Sequence, residues 1–183
     1  DWIIGGSGSG GLTKEKDTAN ILFLKALSDY GVEYNKEIID MYASFSSAKG
    51  HGDSLNTFYK SYYRLYQPDI AANYSDSLKN TAKNYSNTAL VVLSRRAGET
   101  EDPPRVQYKG DSGIEDKSRH YLEISTEEEG MLKWVGSNFE HVVVIINSTN
   151  TMELDFLDTI PGLDACLIVG ATGTRGAAQI PFI

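Results

Sequence analysis

Three short and nearly continuous apolar runs mark the second half of the chain. They cover residues 88–94 (TALVVLS), 141–148 (HVVVIINS) and 164–171 (DACLIVGA). Runs of this length without polar alternation are typical of strands that are buried on both faces of a parallel sheet. Weaker strand patterns occur at residues 1–5 and 32–35. The pattern therefore predicts three buried strands and two shorter ones.

Segments with helical spacing of apolar residues separate the predicted strands. The first such segment ends at Gly31, as helices that terminate at a glycine commonly do. Residues 47–78 show little periodicity and are predicted to be mostly loop. The helical segments are predicted, in chain order, at 13–30, 36–45, 55–66, 75–85, 128–139 and 152–158.

A capping motif marks the start of one predicted helix. The pattern S/T-x-x-E occurs twice in succession, from Ser125 to Glu128 and from Thr126 to Glu129. In a capping box the hydroxyl and the carboxylate each accept a hydrogen bond from a free backbone N–H at the helix start. Either pair predicts that a helix begins here, and helix capping explains this acidic run more simply than a cation site.

Strands and helices alternate along the chain, which predicts an α/β fold. We expect a three-layer α/β/α sandwich with a mostly parallel sheet and helices on both faces, formed by residues 1–183 as a single domain. Ligands of such sheets bind beyond the carboxyl ends of the strands. Three loops are predicted there: the opening glycines, residues 95–120 and residues 170–177. The polar loop 95–120 has a length that is usually functional or disordered.

The chain opens with a glycine-rich stretch, DWIIGGSGSGGL. Gly6, Gly8 and Gly11 give the spacing G-x-G-x-x-G of a dinucleotide-binding turn, and Asp29 or Glu33 follows at the distance of a ribose-binding acid. Polar residues follow Gly11, however, where the helix of such a turn should begin. Three interpretations stay open: a dinucleotide site, a flexible glycine loop, or a loop beside the site of another ligand.

The net charge and the length of the apolar runs argue against several classes of binding partner. The formal net charge of −8 argues against nucleic acid and against anionic membranes as partners. No apolar run approaches the roughly 20 residues that span a bilayer, and we expect no signal peptide at the start of the chain. Both ends interrupt predicted elements, so we expect a piece of a longer protein. The sequence does not fix the compartment, and our expectation is a bacterial cytoplasm.

Few residues outside the three loops carry chemistry. Cys166 is the lone cysteine, and its apolar surroundings predict a buried structural thiol. His51, His120 and His141 lack the spacing of metal ligands, so neither a metal site nor a cofactor is expected. The tyrosine-rich segment 58–66 is interpreted as half-buried and amphipathic, with a sugar-stacking surface as the alternative.

A series of segments resembles the carboxyl-terminal sandwich domain of glycoside hydrolase family 3, a family typified by β-glucosidases. The family's buried strand and R-x-x-G-E-x-x-D loop are similar to ALVVLSRRAGETEDPPR at 89–105. YLEISTEEEGMLKWV at 121–135 resembles its L-x-L-x-x-x-E-x-x-L-L helix entry. HVVVIINSTNTMELDFL at 141–157 and the strand and glycine turn at 164–181 continue the series in order. GGSGSG at 5–10 resembles the glycine loop near the start of that domain.

The resemblance implies half of the active site of a retaining β-glycosidase that acts on β-glucosides or oligosaccharides. The family's nucleophile is an aspartate of a separate barrel domain that is missing here, so the isolated chain is expected to be inactive. Glu99 matches the acid/base position, with Glu101 and Asp102 as alternatives. The residues that the resemblance places near the sugar are Gly6, Ser7, Gly8, Gly98 and Asp102. The arginines that could pair with these carboxylates are Arg95, Arg96 and Arg105.

The chain departs from the family pattern at several positions. Thr100 stands where glycine is usual, and two prolines at 103–104 follow Asp102 where arginine is common. Residues 47–85 match little of the family. The alternative function is therefore a non-catalytic module that has kept the fold and binds a carbohydrate or a partner protein. A homo-oligomer is compatible with either function.

Overall fold

The computed structural model describes residues 23–49, 67–95, 103–109 and 114–173, together with Gly176. The strands are β1 (Thr88–Arg95), β2 (Gln107–Tyr108), β3 (Glu115–Asp116), β4 (His141–Ser148) and β5 (Ala165–Ile168). The helices are α1 (Phe23–Asp29), α2 (Lys36–Lys49), α3 (Ile70–Asn73), α4 (Asp76–Tyr85), α5 (Thr126–Asn138) and α6 (Phe156–Thr159). Within these residues no helix has the length and apolar character needed to cross a bilayer. The predicted strand at 1–5 and helix at 55–66 lie outside the described residues.

The main sheet is parallel and has the order β1–β4–β5. Thr88 of β1 pairs with His141 of β4, and the register continues until Arg95 pairs with Ser148. This register places the carboxyl ends of β1 and β4 side by side. The three apolar runs are therefore confirmed as neighbouring strands, with β5 shorter than its predicted range.

Both faces of the sheet are covered, which explains the continuous apolar runs. Val142, Val144 and Ile146 of β4 belong to the core formed with α5 and α6. Ile145, which points to the opposite face, packs with Phe23 of α1 in a second core. The predicted three-layer α/β/α sandwich is confirmed.

Helix α5 begins with a capping box formed by Ser125 and Glu128. The backbone N–H of Glu128 donates to Ser125 Oγ at 3.1 Å, and the backbone N–H of Ser125 donates to Glu128 Oε2 at 2.8 Å. The first of the two overlapping motifs in the sequence is thus the one that caps the helix. The helix then buries Met131, Leu132 and Val135 against the sheet.

Helix α5 also approaches the turn before β5 very closely. Gly162 in that turn has a φ of 81°, a conformation that favours glycine. A Cβ added at Gly162 would overlap the carbonyl of Gly136, and one added at Gly136 would overlap the carbonyl of Pro161. Backbone-to-backbone packing therefore requires both glycines.

A tyrosine pair connects α2 to α5. The hydroxyl of Tyr74, between α3 and α4, donates to Tyr42 Oη at 2.7 Å, and Gln67 Nε2 donates to the same oxygen at 2.8 Å. The Tyr74 ring also lies 6.0 Å from that of Trp134 on α5. Burial raises the pKa of both phenols.

Some predicted elements are corrected by the structure. Residues 32–35 connect α1 to α2 without forming a strand, and Tyr34 packs on the second core instead. The predicted loop 95–120 contains the antiparallel pair β2 and β3, and the predicted loop 47–78 contains the short helix α3. Helix α6 begins at Phe156, four residues later than predicted, because Met152 and Leu154 pack against the core from the irregular segment before the helix.

Candidate functional site

Polar side chains enter the interior at the carboxyl end of the sheet. Strand β1 ends with Ser94 and Arg95, strand β4 ends with Asn147 and Ser148, and all four residues are buried. The buried residues that precede them on both strands are apolar. We call these four residues the polar edge. It lies where parallel α/β sheets bind their ligands.

Arg95 is the centre of the polar edge, and its side chain is only 2% exposed. Nη1 and Nη2 donate to the two carboxylate oxygens of Glu128 at 2.8 and 2.6 Å. Nε donates to the carbonyl of Tyr121 at 2.8 Å, Nη2 to that of Glu123 at 2.6 Å, and Nη1 to that of Ser94 at 2.7 Å. Five hydrogen bonds therefore use the full donor capacity of the guanidinium.

The charge of Arg95 is matched inside the protein. Burial by itself would lower the pKa of Arg95, but the adjacent carboxylate of Glu128 outweighs this effect and raises the pKa above its usual value. The bidentate geometry depends on the planar guanidinium, which a lysine ammonium does not reproduce. The pair thus fixes the end of β1 to the start of α5.

Gln107 of β2 strengthens the same connection. Its Nε2 donates to the carbonyls of Tyr121 and Glu123 at 2.9 and 2.7 Å, which are also acceptors for Arg95. The guanidinium carbon of Arg95 lies 5.7 Å from the centroid of the Tyr121 ring. Residues 121–123, which lie just before α5, are consequently held to the end of β1 through these shared carbonyls.

The polar edge also fixes the loops after β4 and β5. Ser148 Oγ lies within hydrogen-bond distance of the carbonyls of Arg95 (3.2 Å) and Asn150 (2.6 Å). Asn147 Nδ2 donates to the carbonyl of Gly170 at 2.6 Å, where the backbone turns with a φ of 56°. All three strand ends are therefore tied by side chains before their loops begin.

The site residues predicted from the sequence lie outside the described residues: Gly6, Ser7, Gly8, Gly98, Glu99 and Asp102. The structure describes the chain on both sides of the segment 96–102, at Arg95 and at Pro103. Of the arginines singled out in the sequence, Arg95 pairs with Glu128, Arg105 is exposed, and Arg96 lies outside the described residues. The sequence analysis did not identify Glu128 as the partner of Arg95, because the pattern around Glu128 indicated only a helix cap.

Three further residues singled out in the sequence lie outside the polar edge. Asp29 ends α1, and its carboxylate pairs with Lys25 at 2.6 Å, while Glu33 lies in the irregular connection to α2. Neither acid sits at the end of a strand, which removes their support for a dinucleotide site. Cys166 is half-buried against the core, and burial raises the pKa of its thiol, as suits a structural cysteine.

The fold and the polar edge define an α/β sandwich of the kind that places its site at the carboxyl ends of parallel strands. Within this class, the chain is similar to β-glucosidases. In an alignment of 183 positions that covers 98% of this chain, it is 25% identical to a β-glucosidase of Ruminococcus albus, and it spans 17% of that protein.

A solved β-glucosidase structure from Paenibacillus barengoltzii shares the fold. It matches 99% of this chain with a TM-score of 0.72 at 19% identity, and this chain covers 18% of it. No family model matches the chain. The resemblance to β-glucosidases is thereby confirmed, over less than a fifth of the length of either relative.

Proposed function

We propose that this chain is the carboxyl-terminal sandwich domain of a family 3 glycoside hydrolase and contributes the acid/base glutamate to a retaining β-glucosidase. The observation that carries the proposal is the similarity to a β-glucosidase along 98% of the chain. In this proposal the nucleophile comes from a barrel domain outside these 183 residues, as the family resemblance implies. The substrate is a β-glucoside or an oligosaccharide with a terminal β-linked glucosyl residue.

Retaining hydrolysis needs two carboxyl groups about 5–5.5 Å apart. One attacks the anomeric carbon and forms a glycosyl-enzyme. The other protonates the leaving oxygen and then takes a proton from the attacking water. In this proposal Glu99 is the second group, because it follows the buried end of β1 by four residues and lies within the matching R-x-x-G-E segment.

The polar edge supports this assignment through its rigidity. An acid/base group must be held within a fraction of an ångström of its working position, which requires that its loop start from a fixed anchor point. Arg95 supplies that anchor point with five hydrogen bonds and a buried ion pair. Arg95 is therefore a positioning residue for the loop that carries Glu99.

The test uses the full-length protein that contains this chain, with Glu99→Gly and the control Glu101→Gly. The substrate is an aryl β-glucoside whose good leaving group needs little protonation. Without its acid/base the enzyme should form the glycosyl-enzyme and then stall, with turnover reduced by about 10²–10⁴-fold. Azide should restore turnover of Glu99→Gly and yield a glycosyl azide, while Glu101→Gly should behave as the wild type.

Two outcomes would contradict the assignment. Wild-type activity in Glu99→Gly, with stalling in Glu101→Gly, would move the acid/base role to the neighbouring carboxylate. A wild-type protein that turns over no glycoside at all would favour the non-catalytic binding module, for which the prolines at 103–104 and Thr100 are the sequence argument.

A further inference from the structure

Three side chains that the proposed glycosidase chemistry does not use meet at one point of the surface. His120 Nε2 lies 2.8 Å from Oε1 of Glu153 and 3.4 Å from Oε1 of Glu123. One ligand atom from each residue can be chosen so that all three lie within 4.8 Å of one another. They come from two loops, since His120 and Glu123 precede α5 and Glu153 follows β4.

The backbone under these side chains is firmly held. The N–H of Glu123 donates to the carbonyl of His120 at 3.0 Å, which closes the turn between them. The N–H of Glu153 donates to the carbonyl of Leu122 in that turn, also at 3.0 Å, and so joins the two loops. The buried Arg95 fixes the same turn from below through the carbonyl of Glu123. The three side chains are therefore brought together by backbone contacts that exist without any ion.

We propose that His120, Glu123 and Glu153 bind a divalent transition-metal ion of the Zn²⁺ class, with water in the remaining coordination positions. One imidazole nitrogen with carboxylate oxygens is a donor set that Zn²⁺ accepts. Ligand atoms around a tetrahedral Zn²⁺ ion are separated by about 3.4 Å, as bond lengths of about 2.1 Å require. The 3.4 Å distance from His120 Nε2 to Glu123 equals this separation, and the 2.8 Å distance to Glu153 is a hydrogen-bond distance that would open by about 0.6 Å when the ion replaces the imidazole proton.

Charge and access favour the same ligand. The two carboxylates and a neutral imidazole carry two negative charges, which one divalent cation neutralises. The side chains of His120, Glu123 and Glu153 are 46%, 32% and 48% exposed, so an ion can enter and keep bound water. A protonated imidazole would pair with the same carboxylates, but a metal needs the nitrogen lone pair. The imidazole nitrogen can therefore bind either the metal ion or a proton, but not both.

The expected consequence is a metal clip between two loops next to the polar edge. The ion would join the segment that returns to α5 with the segment that leaves β4. This site does not depend on the glycosidase proposal, and its test does not use activity.

The test is a Zn²⁺ titration of the chelator-treated full chain by calorimetry, with Co²⁺ absorption as a second readout. The variants are His120→Ala and the milder Glu153→Gln. The matched control is His141→Ala, since His141 Nε2 lies 3.7 Å from Glu140 in an exposed pair. The wild type and the control should bind Zn²⁺ with equal affinity. Each site variant should bind at least about tenfold more weakly, because the loss of even an outer-shell partner of a metal ligand typically costs about 10–100-fold in affinity.

Circular dichroism spectra establish whether each variant is folded. If His120→Ala does not fold, Glu153→Gln still tests the site, because it changes an exposed side chain. Equal Zn²⁺ affinity in the wild type and in a folded site variant would overturn the proposal. So would the absence of Zn²⁺ binding by the wild type, which would leave His120 as a partner in an ion pair only. A Co²⁺ spectrum with nitrogen and oxygen ligation that disappears in His120→Ala would support it.

Discussion

Substituting Arg95 by methionine removes the cation from the buried pair at the end of β1 while keeping much of the side-chain volume. The Glu128 carboxylate then keeps the hydrogen bond from the Ser125 N–H (2.8 Å) but loses its counter-ion. The carbonyls of Tyr121 and Glu123 are affected less, since Gln107 still donates to both. The main consequence is therefore a buried and unpaired carboxylate.

The size of the loss follows from burial. Removing one partner of a buried ion pair costs about 3–5 kcal/mol, because the other charge stays desolvated without compensation. The side chains of Arg95 and Glu128 are only 2% and 7% exposed, and both oxygens of the carboxylate are engaged. We expect Arg95→Met to lower the free energy of unfolding by about 4 kcal/mol, a large share of the roughly 5–15 kcal/mol of a typical domain.

Urea denaturation, followed by circular dichroism, measures this loss. With a slope of about 2 kcal/mol per molar urea, the midpoint should fall by about 2 M. The matched control is Lys25→Met, because the Lys25–Asp29 pair has the same 2.6 Å separation but side chains that are 53% and 44% exposed. That control should lose no more than about 1 kcal/mol, as exposed pairs do.

The double variant Arg95→Met/Glu128→Leu separates the unpaired charge from other effects of the substitution. Replacing both partners by apolar residues should recover most of the loss, apart from about 1 kcal/mol for the capping bond to Ser125. Equal small losses in Arg95→Met and Lys25→Met would refute the reasoning. A double variant less stable than Arg95→Met would show that the unpaired carboxylate is not the source of the loss.

Two further predictions concern α5. Gly136→Ala should destabilise the protein by about 1–3 kcal/mol through backbone overlap, whereas Gly130→Ala, which has open space around it, should stabilise it by up to about 1 kcal/mol. The thermal unfolding midpoints of the two variants should therefore shift in opposite directions. A shift of both midpoints in the same direction would contradict the packing argument. Hydrogen bonds from Lys133 and Arg119 lower the pKa of Glu129 below 4.5. The unfolded chain therefore takes up the proton first, and stability falls as the pH drops from 4.5 through the folded pKa. Glu129→Gln should flatten the dependence of the urea midpoint on pH in that window, and an unchanged slope would assign it to other acids.

The strands show how far local sequence pattern reaches. The runs at 88–94 and 141–148 were predicted correctly, because strands buried on both faces leave continuous apolar stretches. The run at 32–35 was predicted wrongly as a strand. Tyr34 is partly buried against the second core, Val32 is exposed, and no strand of the described sheet pairs with this run. A short apolar alternation cannot distinguish these two kinds of burial.

The start of α5 shows where local information ends. Two overlapping capping motifs predicted the helix, but only the structure selects Ser125 and Glu128. The same carboxylate also neutralises Arg95, which is 33 residues away along the chain. That second role requires the end of β1 to lie next to the start of α5 in space, and no local sequence pattern contains this information.

By itself the sequence determined the fold class, the main strands and the resemblance to β-glucosidases, since these depend on local hydrophobic patterns and on an ordered series of motifs. Only the tertiary structure decided that Arg95 is buried and pairs with Glu128. It also decided that His120 meets Glu123 and Glu153 across two loops. The physical reason is that charge pairing and metal ligation require proximity in space, which is created when parallel strands bring distant loops to one edge of a sheet.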